Sequence, residues 1–338
     1  MRGPRLQDVA ERAGVSMKTV SNVVRDYAHV SPQMRERVQR AIDELGYRPN
    51  MTARRLATGR TGFIALGFAD VAIPYFAELA HVASQRAQDF DYRVMLEETD
   101  ATIEGERALI ASSEAGLIDG MLFQPSRMSS AEIARHRSLI PIVLLGETPA
   151  PLTMDRVMID NVRAAREITE HLIRLGRRRI GFVGHEATAL SDTSRQRLLG
   201  YQEALAAADL PVDPGMLVAT PSIAAVDTAG AVRAALAGGW EVDAIVCRDD
   251  LAAIGTLRAL QERGIRVPED VAVTGWDDTR MSAVTFPSLT TVSPDLDALF
   301  SRAMTLLLER INGYDGAGRH EVAPHRIVVR ESAPSPHG

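Results

Sequence analysis

The sequence predicts three segments: a small all-α domain over residues 1–49, a linker over residues 50–61 and an α/β body of two doubly wound lobes over residues 62–338. Three observations lead to this prediction. Apolar residues near the N-terminus recur at helical spacing, short apolar runs alternate with helical stretches from residue 62 onward, and this alternation occurs twice. With 338 residues, the chain is also long enough for two or three domains.

The stretch LQDVAERAGVSMKTVSNVVR, residues 6–25, predicts two short helices joined by a turn. Gly14 can take a positive φ at the turn, and Ser16 suits the N-cap of the second helix. This spacing is typical of a helix-turn-helix, whose second helix lies in the major groove of DNA. The alternative is an ordinary helical hairpin. The predicted inner faces carry Val9, Ala10, Ala13, Val20, Val23 and Val24.

The second helix of this pair would present Met17, Lys18 and Asn22 to base edges. Lys18 can donate to guanine O6 and N7, whereas Met17 offers an apolar surface to a thymine methyl group. Residues 1–60 contain 12 Arg or Lys and 6 Asp or Glu, a net charge of +6, and the rest of the chain carries −12. A basic domain attached to an acidic body is typical of a nucleic-acid contact surface.

A third helix is predicted over residues 31–45, and the linker follows it. Residues 50–58, NMTARRLAT, can form one short helix, which is too short to be stable alone and should become ordered when it docks. Leu56 is an apolar residue on this basic segment, and such residues can enter the minor groove as wedges that kink DNA. The alternative is a plain linker whose Leu56 packs on the body. The basic residues that favour phosphate are Arg54, Arg55 and Arg60.

In the body, apolar runs between residues 63 and 145, and again between residues 157 and 274, predict buried strands separated by helices. Such repetition gives parallel sheets with helices on both faces, and two similar lobes with a cleft between them are the simplest arrangement. Ligands of these sheets bind beyond the carboxyl ends of the strands. We therefore expect a site among the polar residues that follow the strands.

Composition argues against several classes of protein. No run approaches the roughly 18 apolar residues of a membrane span, and the N-terminus has no apolar leader region, so we expect a cytoplasmic protein. The single cysteine, Cys247, excludes an internal disulfide and a multi-cysteine zinc site. No Walker loop, dinucleotide fingerprint, HExxH or nucleophile elbow occurs, so we expect no cofactor, no metal and no catalysis. Three alternatives compete: an enzyme using Asp249 and Asp250, a secreted sugar-binding protein, and a DNA-binding protein without an effector.

Along nearly its whole length the sequence resembles the lac/galactose repressor (LacI/GalR) family of transcription regulators. The matching stretches are LQDVAERAGVSMKTVSNVV, VSPQMRERVQRAIDELGYRPN, ARRLATGRTGFIALGF, IDNVRAAREITEHLIRLGRRRIGFVG, SRQRLLGYQEAL, RVPEDVAVTGWDD, PSLTTV and RIVVRES. The resemblance implies a helix-turn-helix domain and a periplasmic-binding-protein-like body. One lobe of that body would span about residues 62–160 and 293–320, and the other about residues 161–292 and 321–338.

The same resemblance implies a homodimer that reads a pseudo-palindromic operator, and a repressor controlled by a small effector bound between the lobes. A sugar is the first expectation for the effector, and a nucleobase or other metabolite acting as corepressor is the alternative. Outward residues of the second helix would contact bases, nearby neutral side chains would contact phosphates, and Leu56 would be the hinge leucine that wedges into the central base step. The implied DNA-binding set is Leu6, Ser16, Met17, Lys18, Thr19, Ser21, Asn22, Asn50, Ala53, Arg54 and Leu56.

The effector residues implied by the resemblance follow strands or lie on one helix. Arg197 and Asp277 can hold vicinal hydroxyl groups, because a guanidinium offers a donor fork and a carboxylate a bidentate acceptor. An aromatic ring from Tyr75 or Phe76 can cover the apolar face of a sugar. The full set is Tyr75, Phe76, Gln124, Glu147, Asp160, Thr193, Arg197, Asp249 and Asp277.

Several positions depart from the family pattern. Arg248 and Asp249 stand where a small residue and Asn are usual, and Glu147 is followed by Thr where Arg is common. The extra carboxylate argues against a phosphorylated or carboxylate effector unless Arg248 turns into the cleft. Trp276, where Phe or Tyr is usual, fits either a pocket wall or a core position. The tail after Val329 carries no leucine heptad, so we do not expect a tail-driven tetramer.

Overall fold

The computed structural model describes residues 4–24, 27, 29–47, 59–135 and 140–335. The chain divides into two compact units, Met1–Thr61 and Gly62–Gly338. Among the described residues, every helix is too short or too polar to cross a membrane. The predicted combination of a helical N-terminal domain and a two-lobed α/β body is confirmed.

The first unit contains three described helices, α1 (Leu6–Ala13), α2 (Met17–Val24) and α3 (Pro32–Leu45). Gly14 ends α1 with φ 60°, and Ser16 caps α2 by accepting a hydrogen bond from the Thr19 amide at 3.1 Å. The prediction that Val24 faces the core is wrong: it is 37% exposed, because it ends α2 at the rim of a small core. That core consists of Val9, Ala10, Ala13, Val20, Val23, Val38, Ala41 and Tyr47.

The second unit contains two six-stranded sheets. The first has strand order β11-β5-β4-β3-β1-β2 and the second β12-β10-β9-β8-β6-β7. All the described pairings are parallel except that of β10 with β12. The strands are β1 (Phe63–Phe68), β2 (Arg93–Glu98), β3 (Gly120–Phe123), β4 (Ile142–Leu145), β5 (Asp155–Ile159), β6 (Ile180–Glu186), β7 (Leu217–Thr220), β8 (Ala244–Cys247), β9 (Ala272–Trp276), β10 (Thr290–Pro294), β11 (His320–Ala323) and β12 (His325–Val328).

Helices connect these strands and bury a continuous apolar core against the sheets. Helix α11 returns to the first sheet, where it packs on β3, β4 and β5. The helices are α4 (Pro74–Arg86), α5 (Ile103–Ser112), α6 (Ser130–Arg135), α7 (Asn161–Arg174), α8 (Asp192–Ala207), α9 (Ala225–Ala237), α10 (Asp250–Glu262) and α11 (Leu296–Ile311).

Between residues 140 and 335 the chain passes from one sheet to the other three times: after β5, after β10 and between β11 and β12. Two predictions are corrected here. The second alternation of strands begins at β6, because the run at residue 157 belongs to β5, which pairs with β4. The last crossing follows residue 323 and not residue 320, because β11 pairs in parallel with β5.

Candidate functional site

In the first unit, the first turn of α2 presents side chains to solvent. Met17 is 53% exposed, and Lys18 is exposed and makes no ion pair with another described residue. Thr19, Ser21 and Asn22 lie beside them on the same helix. Two members of the predicted set also have structural roles, since Leu6 packs on the core and Ser16 caps the helix. Asn50, Ala53, Arg54 and Leu56 lie outside the described residues.

In the second unit, Arg197 of α8 is buried at the carboxyl ends of the strands of the second sheet. Its Nε donates to Asn161 Oδ1 at 2.8 Å, and its Nη1 donates to the carbonyl oxygen of Arg248. The guanidinium carbon lies 3.9 Å from the centre of the Trp276 ring, which places a cation over an aromatic face. Burial lowers the pKa of Arg197, and the nearby carboxylates of Asp277 and Glu147 oppose that change.

Glu147 joins the two lobes. It follows β4 of the first sheet, and its carboxylate accepts hydrogen bonds from Asn161 Nδ2 at 2.6 Å and Thr193 Oγ1 at 2.7 Å. Asn161 begins α7 and Thr193 lies in the first turn of α8, and both helices belong to the second lobe. Thr193 and Glu147 are therefore brought to the same space as Arg197.

Asp277 follows β9 with φ 109°, a conformation that a residue with a side chain rarely adopts. Its carboxylate accepts no hydrogen bond from any described residue. Burial raises its pKa well above the usual value, and Arg197 lowers it in part. Burial also raises the pKa of the Tyr75 phenol, and Glu147 and Asp277 add to the increase. Tyr75 of the first lobe therefore faces the carboxylates of the cleft.

Several buried polar atoms near the ends of the strands have no hydrogen-bond partner among the residues that the structure describes. These atoms are Gln124 Oε1, Arg156 Nε, His185 Nε2 and Trp276 Nε1. Buried polar atoms are normally satisfied by protein groups, ordered water or a ligand. Their concentration around the strand ends indicates a cleft suited to a polar molecule.

Two members of the predicted effector set have other roles in this structure. Phe76 lies in the core of the first lobe, where its ring stacks on Phe68 with centres 5.3 Å apart. Asp160 caps α7 by accepting a hydrogen bond from the Arg163 amide at 3.0 Å. Because the side chain of residue 160 serves the helix, it is not brought to the Arg197 and Asp277 cluster by any contact described.

The sequence left the orientation of Arg248 open, and the structure shows it. Its Nη2 donates to Asp249 Oδ2 at 2.8 Å, and its Nη1 donates to Glu186 Oε1 at 3.0 Å. Asp249 Oδ1 also caps α10 through the Ala252 amide at 2.8 Å. The predicted effector set did not include Glu186 and Asn161, although Asn161 was among the residues expected at strand ends. The available signal was their position, since each stands at or just after the carboxyl end of a strand.

The neighbouring Asp250 is fully buried and ties three segments of the second lobe together. It accepts hydrogen bonds from the amide and hydroxyl groups of Thr279, from Ser282 Oγ at 2.5 Å and from Thr291 Oγ1 at 2.7 Å. Thr279 comes two residues after Asp277. Asp250 therefore holds the segment that carries the cleft carboxylate in place.

Comparisons with known proteins match both units. Residues 5–50 match the model described as bacterial regulatory proteins, lacI family, and residues 169–333 match the model of a periplasmic binding protein-like domain. The regulator RegA of Clostridium saccharobutylicum is 30% identical over 97% of this chain and 98% of its own length. The regulator CelR of Thermobifida fusca is 33% identical over 98% of both chains.

Two solved structures extend this similarity to the whole chain. The Lac repressor dimer bound to operator and the anti-inducer ONPF superposes with a TM-score of 0.82, at 26% identity, covering 99% of this chain and 100% of that one. The complex of the regulator CelR with cellobiose has a TM-score of 0.72, at 29% identity, covering 97% of this chain and 99% of that one.

Proposed function

We propose, from the premise that this chain belongs to the LacI family of bacterial transcription regulators, that it represses transcription under the control of a small effector bound between its two lobes. The chain is a DNA-binding regulator and not an enzyme, as the sequence predicted. The observation that carries the proposal of a small effector is the half-buried Asp277 carboxylate, which interacts electrostatically with Arg197 and accepts no hydrogen bond from any described residue.

For the DNA side of the proposal, the first turn of α2 reads the operator. Lys18 donates to guanine, Met17 covers a thymine methyl group and Asn22 contacts a base farther along. Ser16, Thr19 and Ser21 contact phosphates, together with Leu6 at the start of α1. In the linker, Asn50, Ala53 and Arg54 contact DNA, and Leu56 wedges into the central base step.

A homodimer on a pseudo-palindromic operator is part of the same proposal. The second lobe exposes large apolar side chains at Val226, Met281, Val284 and Phe286, and Phe286 is 93% exposed. A second copy of the chain is the occupant that we propose for this surface, because the Lac repressor structure that matches along the whole chain is a dimer. Cytoplasmic location follows in this proposal from the need to reach DNA.

A carbohydrate is the effector class that the cleft residues support best. Arg197 and Asp277 provide a donor and an acceptor for hydroxyl groups, and Tyr75 offers a ring beside them. Gln124, Glu147, Thr193 and Asp249 complete the polar lining, whereas Phe76 packs in the core and Asp160 caps a helix. The relative CelR was solved with cellobiose, which makes a sugar the first class to test. A corepressor such as a nucleobase is the alternative outcome.

The test begins with selection of the operator from random DNA by the full-length protein, followed by operator binding in the presence of a panel of sugars and nucleobases. Lys18→Ala should change the preferred base at one position, at a cost of about 1–3 kcal/mol. Arg197→Ala should abolish the effector response and keep operator binding. The matched control is Arg195→Ala, since Arg195 is an exposed residue of the same helix. An intact response in Arg197→Ala would contradict the proposed site, and failure to select any operator would contradict the function.

A further inference from the structure

We propose that the cleft selects against effectors that carry a phosphate or carboxylate group and takes a neutral, hydroxyl-rich molecule, and that the cluster of Arg248, Glu186 and Asp249 sets this selectivity. The inference rests on the proposed function only in treating the cleft as the effector site. Anionic ligands need cationic or N–H donors that are free to bind them. The arginines near the cleft are Arg197, Arg248 and Arg156, and each already donates hydrogen bonds within the protein.

Two of the five N–H donors of Arg197 are already used within the protein, and several carboxylates surround its charge. Its Nε and Nη1 are engaged by Asn161 Oδ1 and by the Arg248 carbonyl, and its planar face covers the ring of Trp276. Three carboxylates, those of Asp277, Glu147 and Asp249, act on its charge. Its charge is thus balanced within the protein before any ligand arrives.

Arg248 is held away from a ligand by two carboxylates. Its Nε and Nη2 both donate to Asp249 Oδ2, at 2.9 and 2.8 Å, and its Nη1 donates to Glu186 Oε1 at 3.0 Å. Its side chain is 12% exposed, and that of Asp249 is 8% exposed. Turning Arg248 toward an anion would leave the buried Asp249 carboxylate without its cationic partner, which is costly. The one arrangement that would have allowed a phosphorylated effector is therefore disfavoured.

Arg156, the third arginine near the cleft, holds the loop that follows β4. Its Nη1 donates to the carbonyl oxygens of Glu147 and Thr148, each at 3.2 Å. Burial lowers the pKa of Arg156, opposed by the carboxylates of Glu147 and Asp192. An anion at this point would find Nε and Nη2 without partners among the described residues, but the carboxylates of Glu147 and Asp192 act on the same guanidinium.

The carboxylates of the cleft also act against the binding of an anion. Four of them, Glu147, Glu186, Asp249 and Asp277, stand among the three arginines. A phosphate placed in the cleft would approach the carboxylates of Glu147 and Asp249, and repulsion between like charges is stronger in a partly buried site than in water. Hydroxyl groups would instead donate to Asp277 and supply the hydrogen bonds that its carboxylate lacks. The cleft therefore favours a neutral molecule with several hydroxyl groups.

The experiment compares matched probes, D-glucose 6-phosphate, D-glucose and inorganic phosphate, at constant ionic strength, by thermal unfolding of the full-length protein. We expect neither phosphate-bearing probe to stabilise the wild type relative to chloride. In the double variant Glu186→Gln/Asp249→Asn, Arg248 loses both charged partners, while the new asparagine side chain can still cap α10. D-glucose 6-phosphate should stabilise this variant at concentrations at least about tenfold below any that affects the wild type. Adding Arg248→Gln should remove the gain.

Two results would overturn the inference. One is stabilisation of the wild type by D-glucose 6-phosphate that disappears in Arg197→Ala, and the other is a folded double variant with no response to either phosphate-bearing probe. If the double variant does not fold, Asp249→Asn alone should show a smaller gain that Arg248→Gln again removes, and no gain overturns the inference. If none of a panel of neutral sugars binds, the proposal of a carbohydrate effector is contradicted. The comparison of phosphate-bearing probes between the wild type and the variants still tests the selectivity.

Discussion

Each lobe contains a fully buried aspartate, and the two are satisfied in different ways. Asp155 of β5, in the first lobe, accepts hydrogen bonds from the guanidinium groups of Arg310 and Arg319 at 2.9 to 3.2 Å. Asp250 of α10, in the second lobe, accepts from hydroxyl groups and one amide of the protein. Both aspartates are at most 1% exposed. The two aspartates are therefore equally buried, but the groups that donate hydrogen bonds to them differ in charge.

The pKa values of the two carboxyl groups are consequently shifted in opposite directions. Burial raises the pKa of Asp155, but the hydrogen bonds from Arg310 and Arg319 outweigh it and hold the pKa at about 2. Burial raises the pKa of Asp250 to about 6, since the hydrogen bonds from Ser282 and Thr291 offset only part of the effect. Full hydrogen bonding by neutral donors thus satisfies a buried carboxylate without compensating its charge. Asp155 and its two arginines are part of the framework of the first lobe. Asp250 and its neutral donors instead position the segment that carries Asp277.

The largest expected effect comes from Asp155→Ala. This change leaves Arg310 and Arg319 without their common carboxylate, and Arg310 is only 12% exposed. Breaking a buried ion pair by removing one partner typically costs about 3–5 kcal/mol of unfolding free energy. The measurement is denaturant unfolding at neutral pH. Asp270→Ala, which removes an exposed pair with Arg266, is the matched control and should cost much less, because solvent screens the exposed pair. Equal effects of the two changes would mean that the cluster is not a stabilising feature.

The next largest effect is on the pH dependence of the unfolding free energy, to which Asp250 and Asp155 contribute with opposite signs. The folded pKa of Asp250 lies above its unfolded value, so its contribution to stability is full at low pH and falls between about pH 4 and pH 6, by on the order of 3 kcal/mol. The advantage of the wild type over Asp250→Asn should therefore shrink as the pH rises through this window. The folded pKa of Asp155 is depressed, so the advantage of the wild type over Asp155→Ala should be lost as the pH falls from about 4 toward 2.

The measurement is the unfolding free energy of the wild type, Asp250→Asn and Asp155→Ala between about pH 2 and pH 6. If both differences move in the same direction with pH, the contrast between cationic and neutral donors is wrong. If Asp250→Asn shows a constant difference, the carboxyl group of Asp250 does not titrate in the folded protein as we infer.

The smallest expected effect concerns the contact between the lobes at Glu78 and Arg280. Glu78 of α4 accepts a hydrogen bond from the Arg280 amide at 3.4 Å, and its carboxylate lies 3.3 Å from Arg280 Nε. The Arg280 side chain is 73% exposed, so Glu78→Gln should lower the unfolding free energy by less than about 1 kcal/mol. Glu203→Gln, on α8, is the control. A loss of several kcal/mol would show that this bridge, like the buried one at Asp155, is part of the framework.

The fold was predictable because its signals are local. The turn at Gly14, the cap at Ser16 and the alternation of strands and helices each depend on neighbours within a few residues in sequence. Val24 was misassigned because helical spacing does not indicate where a small core ends. The edge strands β11 and β12 were harder to assign, since only pairing decides which sheet each of them joins.

The placement of the candidate site residues could be predicted only in part. Strand ends indicated Glu147, Asp249 and Asp277, and all three carboxylates act on the charge of Arg197. The sequence could not decide which of Tyr75 and Phe76 faces the cleft, because either ring in the first turn of α4 could lie in the core. Stacking of Phe76 on Phe68 makes Phe76 the core residue. The orientation of Arg248 depends on Glu186, and a contact between residues far apart in sequence leaves no local pattern.

The crossing between β11 and β12 has a consequence for synthesis on the ribosome. These two consecutive strands close the same edge of the two sheets, β11 beside β5 and β12 beside β10. Neither lobe can therefore complete its sheet until the last of its strands has been made, at residue 323 for the first sheet and 328 for the second, however early its other strands emerge. A nascent or truncated chain that ends before residue 320 exposes two unpaired edges at once, and such edges template aggregation.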